Sequence, residues 1–290
     1  MQNVMFNPGM NDPERRKSLF RGNLIVIGAT KASTALCQHA MDLAKEAFHL
    51  LDPEHAQESL PVEKFIEIVG PLKSRFTNSK KTKELVRAYL VEQDVDTDLT
   101  FFDVPRLRVV PHSGYLTAGV SYAYKGHRDT WYSSPHGQIN WWLPVYEVVP
   151  ERAMSFFPKY WDEAVPNTSN EFDYGEWTRV GRQQATEQVT KDTRKHPIPL
   201  VDLPGSEELR FAGATGYAIV FSAAHLHATA PNTSTATRFS LDFRTIHVDD
   251  LVKGAGARNV DCAAKGTTLN DFLKAADFSP IDDKHVSEAL

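Results

Sequence analysis

From Phe101 to about residue 250 the chain is built of short apolar and aromatic runs broken at close intervals by Pro or Gly. Runs of that length cannot make helices of ordinary size, and their spacing predicts an all-β sandwich or barrel. Strands are expected at 107–110, 116–124, 139–149, 153–157, 198–203, 218–222 and 238–247. A polar stretch rich in Gln and Thr at 161–197 interrupts them. An excursion that long inside a β core reads as an active-site lid.

The flanks differ. Residues 1–22 are polar and carry Asn7-Pro8-Gly9 and Asp12-Pro13, so a loop or arm is expected. A short strand at 24–27 follows. Ala35, Leu36, His39, Leu43 and Ala47 then recur at helical spacing, predicting a helix over 30–51, with others at 62–76 and 81–93. The tail after Val252 predicts one helix at 268–276. The 290 residues therefore read as one catalytic domain: N-terminal helices at about 30–95, a β core at about 101–250 and a C-terminal helical cap at 252–290.

Composition narrows the partners. A net charge of -5 with a pI near 6.1 gives no pull toward nucleic acid. Lys80-Lys81 and Arg15-Arg16-Lys17 read as solvated faces. Cys37 and Cys262 are too few for a disulfide framework and read as packing residues. No apolar run approaches the ~18 residues of a membrane span, and no signal sequence is visible, so a cytoplasmic protein with a small-molecule substrate is expected.

The chemistry concentrates in two stretches. In an extended strand, residues two apart share a face, so His127 and Asp129 can converge on one metal ion. A second His-x-Asp, His247-Val248-Asp249, is followed by only one histidine, His285, and by no arginine after it, so it cannot complete a comparable site. The first pair is followed by His225, His227 and Arg238. Two histidines and a carboxylate form the facial triad of non-haem iron sites, leaving positions open for chemistry. His225 shares parity with His227, but it ends the apolar run Tyr217–Ser222 and reads as a core or supporting residue. His227 is therefore taken as the third ligand.

Arginine suits a carboxylate in a dry pocket because its planar fork donates two parallel hydrogen bonds. Arg238 and Ser240 share one strand face, and Thr229 shares parity with His227, so these three form a candidate anion clamp. Arg244 keeps the parity of Arg238 and competes with it; whichever does not clamp is expected to pair with Asp242. Gln138, Asn140 and Trp142 share a face, where the amides can meet a dicarboxylate or bond within the core. Trp131 and Trp142 are candidate substrate walls, and Arg106 and Arg108 read as a solvent face.

The pattern Gly126-His-Arg-Asp-Thr-Trp, Phe156-Phe-Pro, and His227-Ala-Thr-Ala-Pro-Asn-Thr-Ser with Arg238 resembles the phytanoyl-CoA dioxygenase-like branch of Fe(II)/2-oxoglutarate-dependent oxygenases over about residues 105–247. The resemblance implies a mainly β fold with flanking helices around a double-stranded β-helix, the jelly-roll or cupin-like core. It implies Fe(II) held by His127, Asp129 and His227, with 2-oxoglutarate as cosubstrate gripped by Arg238 and Thr229, and O2 as oxidant. Hydroxylation of a small molecule is then the expected reaction, with desaturation or ring closure as variants. The stretch after Phe157 lacks the family's common Gly-Ser-His. The presence of Asp129 argues against halogenation. Two other classes use the same residues: a non-catalytic cupin-like binding protein, whose metal would need a fourth protein ligand, and a zinc hydrolase.

Overall fold

Alternation along the longest strand sets the architecture. In β10 (Arg238–His247), Phe239, Leu241 and Phe243 point to one side and are fully buried. Arg238, Ser240, Asp242 and Arg244 point to the other. The period of two therefore separates an apolar layer from a charged one on a single strand. The computed structural model describes residues 3–288 other than 122–124, 182–183, 185–187, 189–190 and 206–207.

Among the described residues, eight strands form the larger sheet. They are β1 (Val4–Phe6), β2 (Leu24–Ile27), β3 (Thr100–Asp103), β4 (Arg106–Val110), β5 (Ile139–Pro144), β8 (Ala218–Ser222), β10 and β11 (Phe272–Lys274). Their order is β1-β2-β8-β5-β10-β3-β11, with β4 also paired to β10. A smaller sheet holds β6 (Met154–Phe156) between β7 (Leu209–Arg210) and β9 (His227–Thr229). Met154 and Phe156 of the small sheet pack on Trp142, Ile219 and Phe221 of the large one. The fold is thus mainly β with flanking helices, and its two facing sheets make a jelly-roll core.

Helices close the outer face of the large sheet. In α2 (Lys31–Phe48), Leu36, Ala40, Leu43, Ala44 and Phe48 form a buried stripe, and Thr30 caps the helix by accepting from the Ser33 amide at 3.2 Å. The helix α3 (Val62–Asn78) runs unbroken through Pro71 and buries Phe65, Val69, Leu72 and Phe76. The next, α4 (Lys80–Glu92), contributes Val86, Tyr89 and Leu90. These side chains share one core with Trp141, Phe239, Leu241 and Phe243, and the Trp141 and Phe243 rings stack at 5.9 Å. Each such buried side chain contributes ~1.5–3 kcal/mol relative to exposure, so this layer anchors the sheet whose other face carries the charges.

Four expectations fail, each for a local reason. Residues 1–22 are not a loop, because β1 pairs in parallel with β2 and Asp12–Leu19 form helix α1. Pro13 stands in the first turn, where its missing N–H costs nothing, and Asn11 with Glu14 makes a capping box. The expected strand at 116–124 is a 3-10 turn at Gly119–Ser121, and residues 122–124 lie outside the described residues. At 198–203 only Pro199 bridges, to Asn167. The helix expected at 268–276 is instead a turn, Leu269–Asp271, leading into β11. Leu269 and Phe272 mimic a helical stripe, yet both bury against Phe101 and Ile246 while Phe272 pairs with Asp103 of β3. Helix α6 (Val248–Val252) precedes the tail and α7 (Asp283–Glu288) lies within it, and a three-residue turn, α5 (Tyr174–Glu176), lies in the 161–197 insertion.

Candidate active site

His127 and His227 are brought together by the backbone itself. They exchange both hydrogen bonds of an antiparallel bridge at 2.9 Å, which sets their imidazoles side by side, with centroids 4.4 Å apart. Asp129 is not extended as the parity argument assumed: it opens a 3-10 turn (Asp129–Tyr132), and its amide donates to Ala223 O at 2.9 Å. The alternation survives nonetheless. Arg128 points away, donating to Ala224 O at 2.6 Å and Asp261 Oδ2 at 3.1 Å. Gly126 permits a close approach just before the site, since a Cβ there would lie 2.1 Å from Leu203 Cδ1.

Asp129 Oδ1 lies 3.4 Å from His127 Nε2 and 3.7 Å from His227 Nε2, and one potential donor atom from each of the three buried residues lies within 4.8 Å of the others. Each imidazole uses its Nδ1 on a backbone carbonyl, His127 on Lys125 O at 2.8 Å and His227 on His225 O at 2.9 Å. That arrangement fixes the tautomer and aims both Nε2 lone pairs inward, as metal-binding histidines require. Burial and the neighbouring His127 lower His227 to about 4, so it is neutral and able to ligate at ordinary pH. Burial alone would raise the Asp129 carboxyl, but Arg244 and the two imidazoles hold it well below its usual value. Two histidines and an ionised carboxylate are the donor set that fits a divalent transition metal. Among the described residues no fourth ligating side chain joins this group.

The other candidates fall into three groups. Asn140 donates to Asp129 Oδ2 at 2.8 Å and Gln138 does so at 3.3 Å, with Gln138 also donating to Asn140 Oδ1 at 2.9 Å. The amides therefore hold the triad carboxylate. Trp142, Thr229 and Arg238 line the cavity into which the triad opens, which has a volume of ≈ 880 Å³. Ser240, fully buried, has no hydrogen-bond partner for its Oγ among the described residues. Trp131 is not a substrate wall: the 3-10 turn swings it into a cluster with Phe157, Val165 and Leu226, where its Nε1 donates to Asp261 at 2.7 Å.

The two competing arginines separate clearly. Arg244 is committed to carboxylates, to Asp103 at 3.0 Å and Asp129 at 3.3 Å, and not to Asp242 as expected. Arg238 has no carboxylate partner among the described residues. It is 3% exposed, reaches only the carbonyls of Arg152 and Ala153 at 3.3 and 3.5 Å, and leaves Nε without a partner. Burial, with Arg108 nearby, lowers it to about 10. Its guanidinium lies 5.8 Å from the Trp142 ring. An unpaired guanidinium in a cavity wall is an anion site in waiting.

Arg106 and Arg108 are not a solvent face. Both line the cavity, and Arg108 takes Asp242 in two hydrogen bonds of 2.6 and 3.1 Å. His225 is bound elsewhere, its Nε2 at 2.8 Å from Gly22 O and its ring 4.6 Å from Trp161. His247 and Asp249 form a helix cap, the Asp249 amide donating to His247 Nδ1 at 3.2 Å. The insertion supplies cavity walls not foreseen individually, Tyr174, Trp177 and Arg194, and α3 supplies Lys73. Asp103, which pairs Arg244, carried no local signal at all.

No family profile matches the chain and no curated protein matches it. Similar folds occur among solved structures. EvdO2 from Micromonospora carbonacea var. aurantiaca, complexed with 2-oxoglutarate, is 14% identical with a TM-score of 0.46, over 82% of this chain and 92% of that one. The epimerase SnoN in complex with Fe3+, alpha ketoglutarate and nogalamycin RO is 12% identical with a TM-score of 0.41, over 82% and 85%. EctD from S. alaskensis with 2-oxoglutarate and 5-hydroxyectoine is 12% identical with a TM-score of 0.40, over 84% and 78%. At such scores nothing about the site transfers from those proteins. Among the described residues no helix is long and apolar enough to cross a membrane.

Proposed function

We propose that the chain is a non-haem Fe(II)- and 2-oxoglutarate-dependent oxygenase that oxidises a C–H bond of a small molecule, plausible classes being amino-acid-derived and specialised-metabolism intermediates. One observation carries the reading: a single cavity holds both a three-membered His/Asp/His donor set and the buried Arg238 guanidinium, which has no carboxylate partner among the described residues. A metal site needs only the first of these; a metal site with a keto-diacid cosubstrate needs both. The order His127-x-Asp129, His227, Arg238 supports the phytanoyl-CoA dioxygenase-like branch.

In this reading His127, Asp129 and His227 hold Fe(II), and Asn140 and Gln138 orient Asp129. Arg238 and Thr229 grip the distal carboxylate of 2-oxoglutarate, with Ser240 beside them on β10 and Trp142 under the guanidinium. When bound, iron with 2-oxoglutarate and O2 supplies the oxidising power, while the protein contributes position and a dry wall. Hydroxylation is the simplest outcome, with desaturation or cyclisation open to the same oxidant. A closed, non-catalytic site is disfavoured by the engagement of His225 with Gly22. A zinc hydrolase needs no keto-diacid cosubstrate, so that reading gives Arg238 no role unless its substrate is itself an anion.

The test is anaerobic addition of Fe(II) and 2-oxoglutarate. A weak visible charge-transfer band is expected, and it should vanish in Asp129→Ala and Arg238→Ala. A band that persists in His127→Ala would show that the ligands are wrong.

A further inference from the structure

Six cationic side chains line the cavity: Lys73, Arg106, Arg108, Arg194, Arg238 and Arg244. Four of them have a carboxylate. Arg106 and Arg244 share Asp103, Arg108 holds Asp242, and Arg194 donates to Asp192 at 2.8 Å. Of the other acidic lining residues, Asp129 belongs to the triad and meets Arg244, and Glu67 is 61% exposed and turned to Lys64. That leaves Arg238 and Lys73. Arg238 is assigned above, whereas Lys73 has no role in that assignment.

Lys73 comes from α3, outside the β core. It is half-buried, and its ammonium donates to the Val120 carbonyl, with no acidic side chain within ion-pair distance among the described residues. It stands close enough to Arg108 and Arg194 to feel their charge. Placing an ammonium in a wall that also contains Ile66, Pro71 and Val120 is costly unless an anion arrives. Burial and Arg108 lower Lys73 to about 7, and Asp242, which is held by Arg108, offsets them only in part.

We propose that Lys73, in the cavity wall that also holds Arg108 and Arg194, forms a second anion subsite and that the substrate carries a carboxylate or phosphate group bound there. This names a substrate class for the oxygenase and rests on that reading for the word substrate, though not for the subsite. The anion would seat on the β4 side of β10, while the triad stands on the β5 side, so the molecule would stretch across β10 with its reacting carbon toward the metal.

The test separates the two anion sites. Inorganic phosphate and acetate are titrated calorimetrically into Arg238→Met, in which Lys73 is, among the described residues, the remaining cation of the wall with no carboxylate partner. They are then titrated into Arg238→Met/Lys73→Gln and Arg238→Met/Lys73→Arg. Binding is expected in the first, weakened about tenfold in the second, as for loss of one charge-assisted hydrogen bond, and restored in the third. Binding of phosphate alone would mark a phosphoryl group, and binding of acetate as well a carboxylate. Equal binding with Gln at 73, or none with Lys, overturns the proposal. Melting temperatures report whether each variant folds, and Lys73→Arg keeps the test decisive if Lys73→Gln does not. The Fe(II)/2-oxoglutarate band in Lys73→Gln alone should be unchanged; failure of that band in the wild type would sink the oxygenase reading and leave the subsite result standing.

Discussion

Replacing Arg238 with Met should make the metal-free protein more stable and the cosubstrate complex much weaker. Burial, with Arg108 nearby, lowers the guanidinium to about 10, which corresponds to ~3 kcal/mol of penalty on the charged form. Against this stand the two long hydrogen bonds to Arg152 and Ala153 and the contact with Trp142, together ~1–2 kcal/mol. Met fills most of the volume, so a net gain of ~1–2 kcal/mol remains. For a chain of this size that raises the melting temperature by roughly 2–3 °C. Two charge-assisted hydrogen bonds to a carboxylate, at ~1.5–3 kcal/mol each, would be lost, weakening 2-oxoglutarate by about 10²- to 10⁴-fold. Calorimetric melting without ligand and an anaerobic titration of the charge-transfer band read the two effects separately. A variant that melts lower than wild type, or that binds 2-oxoglutarate as tightly, would refute the reasoning that Arg238 is an uncompensated cation kept for its ligand.

Asn140→Ala removes the 2.8 Å hydrogen bond to Asp129 and should lower metal affinity about 10- to 100-fold with little change in fold, measurable by Fe(II) or Co(II) titration. Arg244→Leu removes the guanidinium shared by Asp103 and Asp129, and because Arg106 still pairs Asp103 and Asn140 still donates to Asp129 it should cost ~1–3 kcal/mol in urea unfolding; no loss would show that the chain of charges matters little. Acid should destabilise the metal-free protein early. His196 and His227 are lowered to about 4 and His225 to about 3, in each case first by burial. The unfolded chain therefore takes up protons below about 6.5 that the folded one refuses, so stability falls as pH drops from about 6.5 toward 4. Melting temperature against pH should show that slope, and His225→Gln should flatten part of it.

Much of this protein follows from short-range pattern. The stripes of α2, α3 and α4 and the alternation in β10 arise from periods of 3.6 or 2. Those periods are fixed by backbone geometry, whatever the rest of the chain does. The same logic placed Arg238, Ser240, Asp242 and Arg244 on one face, and His127, Asp129 and His227 meet as that reading expected. Local pattern misled where a neighbour distant in sequence made the choice. The edge of β3 turned 272–274 into a strand, and the turn at Asp129 buried Trp131 among Phe157, Val165 and Leu226.

Which charge meets which was decided by the tertiary structure alone. Arg244 is committed because Asp103, 141 positions away, reaches its guanidinium, and Arg238 is left over because no carboxylate among the described residues does. Lys73 enters the cavity only because α3 packs beside β4. A side chain's type and face are local properties, whereas its electrostatic partner depends on three-dimensional proximity, and in a buried wall that partner determines whether a cation is structural or waiting for a ligand.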